Sequence, residues 1–211
     1  MSRKLLLLVC LSAIAGWLIY SRLLVASVQP AASLPPRIPG SKVYFVPIGS
    51  FPKDQLDSLV RYYHKAYNLD ITVLKSIRVD EYSRDASRQQ LVAEKLDDNL
   101  RDSFPEYADN PARILIGFTS EDMYPMSMDW QFAFGWRKAG TGTAVVSTAR
   151  LGLPYTGDGW SFDVPGTRLR KIVTKDIGIL YYGMPQSSNP KSVMYNHIMG
   201  IEELDQEGED F

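Results

Sequence analysis

The stretch TKDIGILYYGMPQSSNPKSVMYNHIMG, residues 174–200, decides how the fold is interpreted. It continues an apolar stripe that begins a few residues earlier, which predicts the second half of an amphipathic helix. Gly183 and Pro185 end that helix, and a polar loop then leads to a methionine-bearing turn. Lys175 and Ile179 are four residues apart, so they lie on one side of the helix, away from the predicted apolar stripe.

The composition is that of one ordinary globular domain. The chain has 211 residues, of which 45% are hydrophobic and 22% are charged, which is enough for one well-buried core. Its formal net charge of -1 gives no indication of a nucleic-acid partner. The single cysteine, Cys10, lies in an apolar N-terminal run. The domain itself therefore has no thiol nucleophile, disulfide or cysteine metal ligand.

The N-terminus has the pattern of a signal peptide or a signal anchor. Two basic residues precede an uncharged apolar run from Leu5 to Tyr20. Positive charge before the run predicts that the rest of the chain crosses the membrane. We therefore predict a signal peptide or anchor helix over 1–28, a proline-rich linker over 29–41 and one domain over 42–211. This domain would lie outside the cytoplasm, either membrane-anchored through a single pass or secreted.

Helix and strand patterns alternate along the domain. Short β-branched and aromatic runs predict strands in KVYFVPIGS, DITVLKSIRV and ARILIGFTSED. Apolar residues at helical spacing predict helices in PKDQLDSLVRYYHKAY, SRQQLVAEKLDDNLRDSF and TRLRKIVTKDIGILYYG. Trp130 to Trp136 and Thr143 to Thr148 flank a glycine-containing loop, which predicts a hairpin at a sheet edge, and 152–166 is predicted to be a surface loop. The alternation indicates a mixed α/β fold.

Taken together, these segments resemble an archaemetzincin, a branch of the metzincin clan of zinc metallopeptidases. The resemblance covers residues 42–205 and is carried by VYFVPIG, SRQQLVAEKL, ILIGFTSEDMY followed by FAFGW, TAVVSTARL and SVMYNHIMGIEELD, in the family's order and at about its spacing. It implies a metzincin-like twisted sheet with an antiparallel edge strand and three main helices. It also implies a peptide-binding cleft beside that edge.

The family's zinc signature, HExxHxxGxxHC, is degenerate in this chain. Its first histidine falls on Lys175, its glutamate on Asp176 and its second histidine on Ile179, and its third histidine falls near Pro185. Met194 keeps the position of the Met-turn methionine. Histidines at i and i+4 would hold zinc from one side of the helix, but an isoleucine has no lone pair and an ammonium group repels a dication.

We therefore expect no metal cofactor and no catalysis. Asp176 occupies the general-base position, but without a metal the attacking water keeps its bulk pKa and a carboxylate is too weak a base to activate it. For Lys175, the simpler interpretation is that its stem packs along the helix and its amine reaches water. The alternative is that its charge replaces the metal's, held by Asp122, Asp163 or Glu203.

Three residues, at the end of the helix and after the turn, have both a simple structural interpretation and a functional one. His197 is more simply a polar turn residue than a ligand, because three convergent ligands are the usual minimum for zinc. One of Tyr181 and Tyr182 is expected in the core, with Tyr182 lining the cleft. The residues that the resemblance implies for the cleft are Lys175, Ile179, Tyr182, Met194 and His197, with Val145 and Ser147 on an edge strand, TAVVST, that would pair with an extended peptide.

Three functions remain open at this point. The first is an inactive archaemetzincin-like protein, a pseudopeptidase of the cell envelope or exterior, that binds a peptide or protein partner through the residual cleft. The second is an active zinc peptidase with unusual ligands drawn from Asp176, His197 and nearby acids. The third is a membrane-tethered scaffold without enzymatic activity.

Overall fold

Helices pack on both faces of a central sheet in the computed structural model, which describes residues 39–152 and 164–211. The helices are α1 Lys53–Tyr67, α2 Ala93–Ser103, α3 Pro105–Ala108, α4 Val164–Leu180 and α5 Ile201–Gln206. The strands are β1 Lys42–Pro47, β2 Ile71–Val73, β3 Arg84–Asp85, β4 Gln90–Val92, β5 Arg113–Thr119, β6 Met123–Tyr124, β7 Gly135–Arg137 and β8 Thr143–Ser147. Three of the five helices are long, as the apolar periodicity predicts.

The main sheet is mixed, with five strands in the order β2-β1-β5-β8-β7. The first four strands are parallel to one another, and β7 runs antiparallel to β8. A second sheet of three short strands has the order β3-β4-β6. The predicted mixed α/β fold is confirmed, and so is the antiparallel hairpin that ends the main sheet.

Side-chain alternation along the strands places two apolar clusters on opposite faces of this sheet. On one face, Phe45 of β1 and Ile116 of β5 pack with residues of α1 and α4. On the other face, Val46 and Leu115, each one residue away, pack with α2. Because the strands are covered on both faces, their residues are apolar almost without interruption. The long helix α4 is thereby fixed against the sheet, with one flank left for the site.

Two predicted elements differ from the structure at their ends. The segment SRQQLVAEKLDDNLRDSF is not helical throughout, because Gln90–Val92 forms a strand and the helix begins at Ala93. Leu91 pairs with Met123 of β6 and with Arg84 of β3, so sheet pairing outweighs the helical spacing of its apolar side chain. In the hairpin, the first strand is confined to Gly135–Arg137.

The prediction that TAVVST is the edge strand is wrong. The strand β8 lies between β5 and β7 and pairs with both. Val145 is fully buried in the cluster beneath α2, and Ser147 is buried with its hydroxyl donating to the Glu121 carbonyl at 2.7 Å. Neither side chain can contact a peptide. The edge is β7, the last strand of this sheet within the described residues.

The predictions for the N-terminus concern residues that lie largely outside the described ranges. The signal or anchor segment over 1–28, most of the linker over 29–41 and most of the loop over 152–166 belong to this group. Within residues 39–152 and 164–211, no helix combines the length and the apolar character needed to cross a membrane.

Candidate functional site

The helix α4 carries a line of basic residues as well as its apolar stripe. Arg168, Lys171 and Lys175 are spaced three and four residues apart, so they share one side of the helix. All three are buried in the folded chain. Because buried cations need partners, the residues that face this line must supply carboxylates or other hydrogen-bond acceptors.

The amine of Lys175 is paired with Glu207, which follows α5. The Nζ–Oε1 distance is 2.6 Å, and both side chains are almost completely buried. Burial lowers the pKa of Lys175 and raises the pKa of Glu207 to about 7. The prediction that this amine reaches water is wrong, because the C-terminal segment covers it. The charge is held by a carboxylate, but by none of the three that were considered.

Asp176 is committed to a second ion pair. Its Oδ1 accepts a hydrogen bond from the Arg137 guanidinium of the edge strand β7. The carboxylate is fully buried, and burial raises its pKa although Arg137 acts in the opposite direction. Its Oδ2 has no hydrogen-bond partner among the described residues. A carboxylate bound in this way ties α4 to the sheet edge.

The C-terminal segment supplies acids along the rest of the basic line. Arg168 makes a two-pronged contact with Asp205, with both N–O distances at 2.7 Å. The amine of Lys171 donates to the Leu204 carbonyl at 2.9 Å. Further along, Arg170 pairs with Glu209. We call residues 201–211 the acidic strap, because their carboxylates and carbonyls neutralise the basic line of α4.

The strap is what sequence reasoning missed, although a signal for it exists. Basic residues at 168, 171 and 175 form a helical stripe, and the chain's last segment, EELDQEGEDF, is rich in acids. Pairing this basic stripe with the acidic segment would have predicted Glu207 as the partner of Lys175. No comparable pattern marks Arg137, because its role depends on the sheet register that brings β7 alongside α4.

The donor groups at the degenerate signature do not fit zinc. Lys175 presents a paired ammonium group, and Pro185 is exposed and offers no side-chain donor. Ile179 is half-buried and lines a cavity of about 860 Å³ beside the hairpin. Among the described residues, no group of three or more His, Cys, Asp or Glu side chains is placed to hold a metal ion. An ammonium group, a hydrocarbon side chain and a proline therefore do not fit a tetrahedral zinc site at these positions.

Met194 packs beneath the helix at Gly178. A Cβ built on Gly178 would lie 2.7 Å from Met194 Sδ and 2.7 Å from Phe211 Cε1. The absence of a side chain at this position therefore lets the Met-bearing turn and the end of the strap approach α4 closely. The methionine is 3% exposed and acts as core packing.

A cleft of about 700 Å³ remains open at the site. Lys175, Gly135, Arg137 and His197 are among the residues that line it. His197 is exposed, with its Nδ1 2.5 Å from the Asn196 side-chain oxygen. The remaining lining residues are Met128, Asp129, Trp130, Gln131, Phe132, Ala133, Phe134, Ile172, Gln186, Tyr195, Asn196, Ile198 and Met199.

The two tyrosines after α4 have different surroundings. Tyr181 is buried in the core, at 2% exposure. Tyr182 is half-buried and packs against Phe211, with ring centroids 5.5 Å apart. Tyr182 does not appear among the residues that line the cleft described above. The structure thus brings Lys175 and His197 together in one cleft. The other side chains predicted for it do not line it: Ile179, Tyr182, Met194, Val145 and Ser147.

Comparison with known structures shows the same architecture in zinc peptidases. An archaemetzincin from Archaeoglobus fulgidus, complexed with malonate, has a TM-score of 0.61 at 24% identity, covering 81% of this chain and 94% of that one. An archaemetzincin from Methanopyrus kandleri has a TM-score of 0.64 at 24% identity, covering 82% and 90%. A zinc-dependent peptidase from Methanocorpusculum labreanum has a TM-score of 0.63 at 19% identity, covering 80% and 95%.

No protein-family model matches the chain, and no curated protein matches it either. The likeness is therefore one of fold. The chain has an archaemetzincin-like fold and is related in structure to metallopeptidases. The residues at its signature positions form two ion pairs where that class would be expected to carry metal ligands and a base.

Proposed function

We propose that this chain is a catalytically inactive archaemetzincin-like protein, a pseudopeptidase that binds an extended peptide or protein segment through the residual cleft. The observation that carries the proposal is the pairing of Lys175 with Glu207 and of Asp176 with Arg137. These contacts occupy the positions of the first ligand and of the general base. A peptide can still enter the cleft, while the residue at the general-base position, Asp176, is held in an ion pair with Arg137.

The open edge of the sheet supports binding of an extended ligand. Ser147 N donates to Phe134 O at 2.9 Å, and these residues are opposite each other in the register in which Gly135 faces Val146. Hydrogen-bonded pairs alternate in an antiparallel ladder, so Trp136 bonds inward to β8. The backbone groups of Gly135 and Arg137 then point to the free edge. Both residues also line the cleft, so an added strand would lie along it.

Exposed apolar side chains at the cleft support a ligand with large apolar side chains. Met128 is 44% exposed, Trp130 36% and Met199 61%, and all three line the cleft. They make up three of the five large hydrophobic side chains that are exposed within the described residues. Concentration of exposed apolar surface at one concave place is typical of a binding site.

The first test is metal content and cleavage. Protein purified without added metal is expected to contain less than about 0.1 zinc per chain, because structural and catalytic zinc sites need three or four donors. It is expected to leave an extended peptide library uncut. Stoichiometric zinc together with chelator-sensitive cleavage would instead support an active peptidase with unusual ligands.

The second test is peptide binding with matched variants. Trp130→Ala and Met199→Ala are expected to weaken binding of a selected peptide by about tenfold each, the size of a moderate contact. Met126→Ala is the control, since Met126 is 58% exposed but does not line the cleft. A peptide with alternate backbone nitrogens methylated should also bind less well. Unchanged affinity in the cleft variants would remove this proposal and leave a scaffold role.

We also propose that the protein acts at the cell envelope or exterior, tethered through its N-terminal segment. The support is the apolar run after two basic residues at the N-terminus. Protease treatment of intact cells that express the full chain is expected to degrade the domain. Protection of the domain in intact cells, and its degradation only after lysis, would contradict this localisation.

A further inference from the structure

One residue that lines the cleft, Lys175, has its amine buried against the carboxyl group of Glu207. Lys175 is 5% exposed and still forms part of the cleft surface. Its Nζ lies 2.6 Å from Glu207 Oε1. The second oxygen, Glu207 Oε2, is buried without a hydrogen-bond partner among the described residues. An amine beside a carboxyl group that can take up a proton and return it is the arrangement that carbonyl capture requires.

The neighbouring lysine of the same helix shows that burial alone does not produce this arrangement. Lys171 is also buried, but its amine donates to the backbone carbonyls of Leu204 and Asp205. A carbonyl oxygen cannot take the proton of an ammonium group. Lys171 is also absent from the cleft lining, where Lys175 is the only lysine among the described residues.

The electrostatics of the pair make the amine easier to deprotonate. Burial lowers the pKa of Lys175, and the charge of Arg137 acts in the same direction, while Glu207 and Asp176 oppose it. Burial also raises the pKa of Glu207 to about 7. Both shifts reduce the cost of moving a proton from the ammonium group to the carboxylate, which leaves a neutral amine and a neutral acid.

We propose that Lys175 is a covalent binding site that captures an apolar aldehyde or ketone as an imine. Glu207 first accepts a proton from the ammonium group. The amine nitrogen then attacks the carbonyl carbon, the π electrons move to oxygen, and a proton passes from nitrogen to oxygen to give a carbinolamine. Glu207 returns its proton as the C–O bond breaks. The products are a protonated imine and one water molecule, and no oxidant or reductant is consumed.

The walls of the cleft define the chemical class of this ligand. Phe132, Phe134 and Ile198 line the same cleft as the amine, so an aromatic or branched aliphatic group suits it. The lysine and the arginine that line the cleft, Lys175 and Arg137, are already paired with carboxylates. A phosphorylated carbonyl compound would therefore find no unpaired cation there. The inference does not depend on peptide binding.

Reductive trapping of the full chain tests the site. The protein is incubated near pH 7 with benzaldehyde and sodium cyanoborohydride, which reduces the imine to a benzylamine, and the benzyl mass is mapped by proteolysis and mass spectrometry. Lys175 is expected to be benzylated at least about tenfold faster than Lys53, because a positioned group that takes up and returns a proton accelerates such steps by about 100-fold or more. Lys53 is the exposed reference, with a side chain 81% exposed.

Two variants separate the proposal from simple burial of a lysine. Lys175→Arg keeps a cation facing Glu207 and is expected to abolish the fast labelling while Lys53 reacts as before. Glu207→Gln keeps an oxygen facing the amine but cannot carry the proton, so labelling of Lys175 should slow by at least about tenfold. Labelling of Lys175 no faster than Lys53, or an undiminished rate in Glu207→Gln, would overturn the proposal. Peptide affinity measured on the same samples reports separately on the proposed function.

Discussion

Lys175, at the position where the sequence resemblance implies a histidine, determines what its neighbours must supply. The ammonium group of Lys175 cannot remain unpaired in the interior, and Glu207 supplies the opposite charge at 2.6 Å. Buried ion pairs of this kind are costly to break from one side, because the partner left behind keeps its desolvation penalty. Stability measurements can therefore detect the pair.

A double-mutant cycle over this pair is the first prediction. Lys175→Met and Glu207→Gln are each expected to lower the free energy of unfolding by about 3 kcal/mol, and the double variant should recover more than half of the summed loss. Urea unfolding measures all three variants. The exposed Lys53–Asp57 pair, at 2.8 Å, is the control, with an expected coupling below about 1 kcal/mol. A coupling energy for Lys175 and Glu207 as small as that of the control pair would show that Glu207 does not stabilise Lys175.

Asp97 provides a prediction about pH. It is fully buried on α2, and burial raises its pKa from 3.8 to about 6, with Thr143 and Arg101 acting in the opposite direction. A carboxyl group with a raised pKa favours folding at low pH, and this contribution is lost as the pH rises through about 6. The stability of Asp97→Asn relative to the natural chain should therefore rise by on the order of 2 kcal/mol between pH 4 and pH 7. A flat difference across this range in denaturant unfolding would contradict the prediction.

At the scale of elements, the contact between α4 and the Met-bearing turn depends on Gly178. A methyl group at this position would approach Met194 Sδ and Phe211 Cε1 to 2.7 Å. Gly178→Ala is therefore expected to lower the free energy of unfolding by about 1–3 kcal/mol, through overpacking. Adding Met194→Ala should relieve part of the clash, so that the two changes together cost less than their sum. Thermal or urea unfolding that shows strict additivity would exclude this contact as the cause.

The sequence predicts the helices and strands themselves better than it predicts which strands pair with one another. The three long helices and the parallel strands follow from apolar periodicity, which is a local property. The position of TAVVST does not, because its five buried residues suit an inner strand as well as an edge, and only the pairing of β7 with β8 decides between them. The sequence predicts a helix at Leu91 for a related reason. The strand that Leu91 forms depends on pairing with Met123, which lies more than thirty positions away.

The candidate site was predictable in its positions but not in its contacts. Lys175, Asp176 and His197 follow from the order of segments along the chain, and Lys175 and His197 line the cleft while Asp176 lies buried beside Arg137 at its edge. The partners Glu207 and Arg137 come from the strap and from the edge strand, which approach α4 only in the folded molecule. Burial of the amine, which separates a solvated lysine from a paired one, cannot be obtained from helical spacing alone.

For the molecule as a whole, the acidic strap is expected to be required for stability. Besides the pairs with α4, Asp210 accepts hydrogen bonds from Tyr67 at 2.6 Å and from Tyr62 at 3.2 Å, which connects the strap to α1. Removal of residues 207–211 should lower the free energy of unfolding by about 3 kcal/mol or more, because Lys175 would lose its counter-charge. Glu202→Ala, an exposed change in the strap, is the matched control.

The measurement is urea unfolding monitored by tryptophan fluorescence, repeated in the presence of a chelator. The truncated chain should unfold at lower urea than the Glu202→Ala control, and the chelator should leave both midpoints unchanged, because the donors at the signature do not fit a metal. A truncated chain as stable as the natural one would show that the strap is dispensable.

The pairing of Lys175 with the strap also has an evolutionary consequence. A change of Lys175 to histidine would leave the Glu207 charge unpaired in the interior, and a larger acid at 176 would have to displace Arg137 from the sheet edge. Each of these single changes is therefore expected to give a less stable protein. Descendants of this chain are expected to change the residues of the cleft walls sooner than those at 175 and 176.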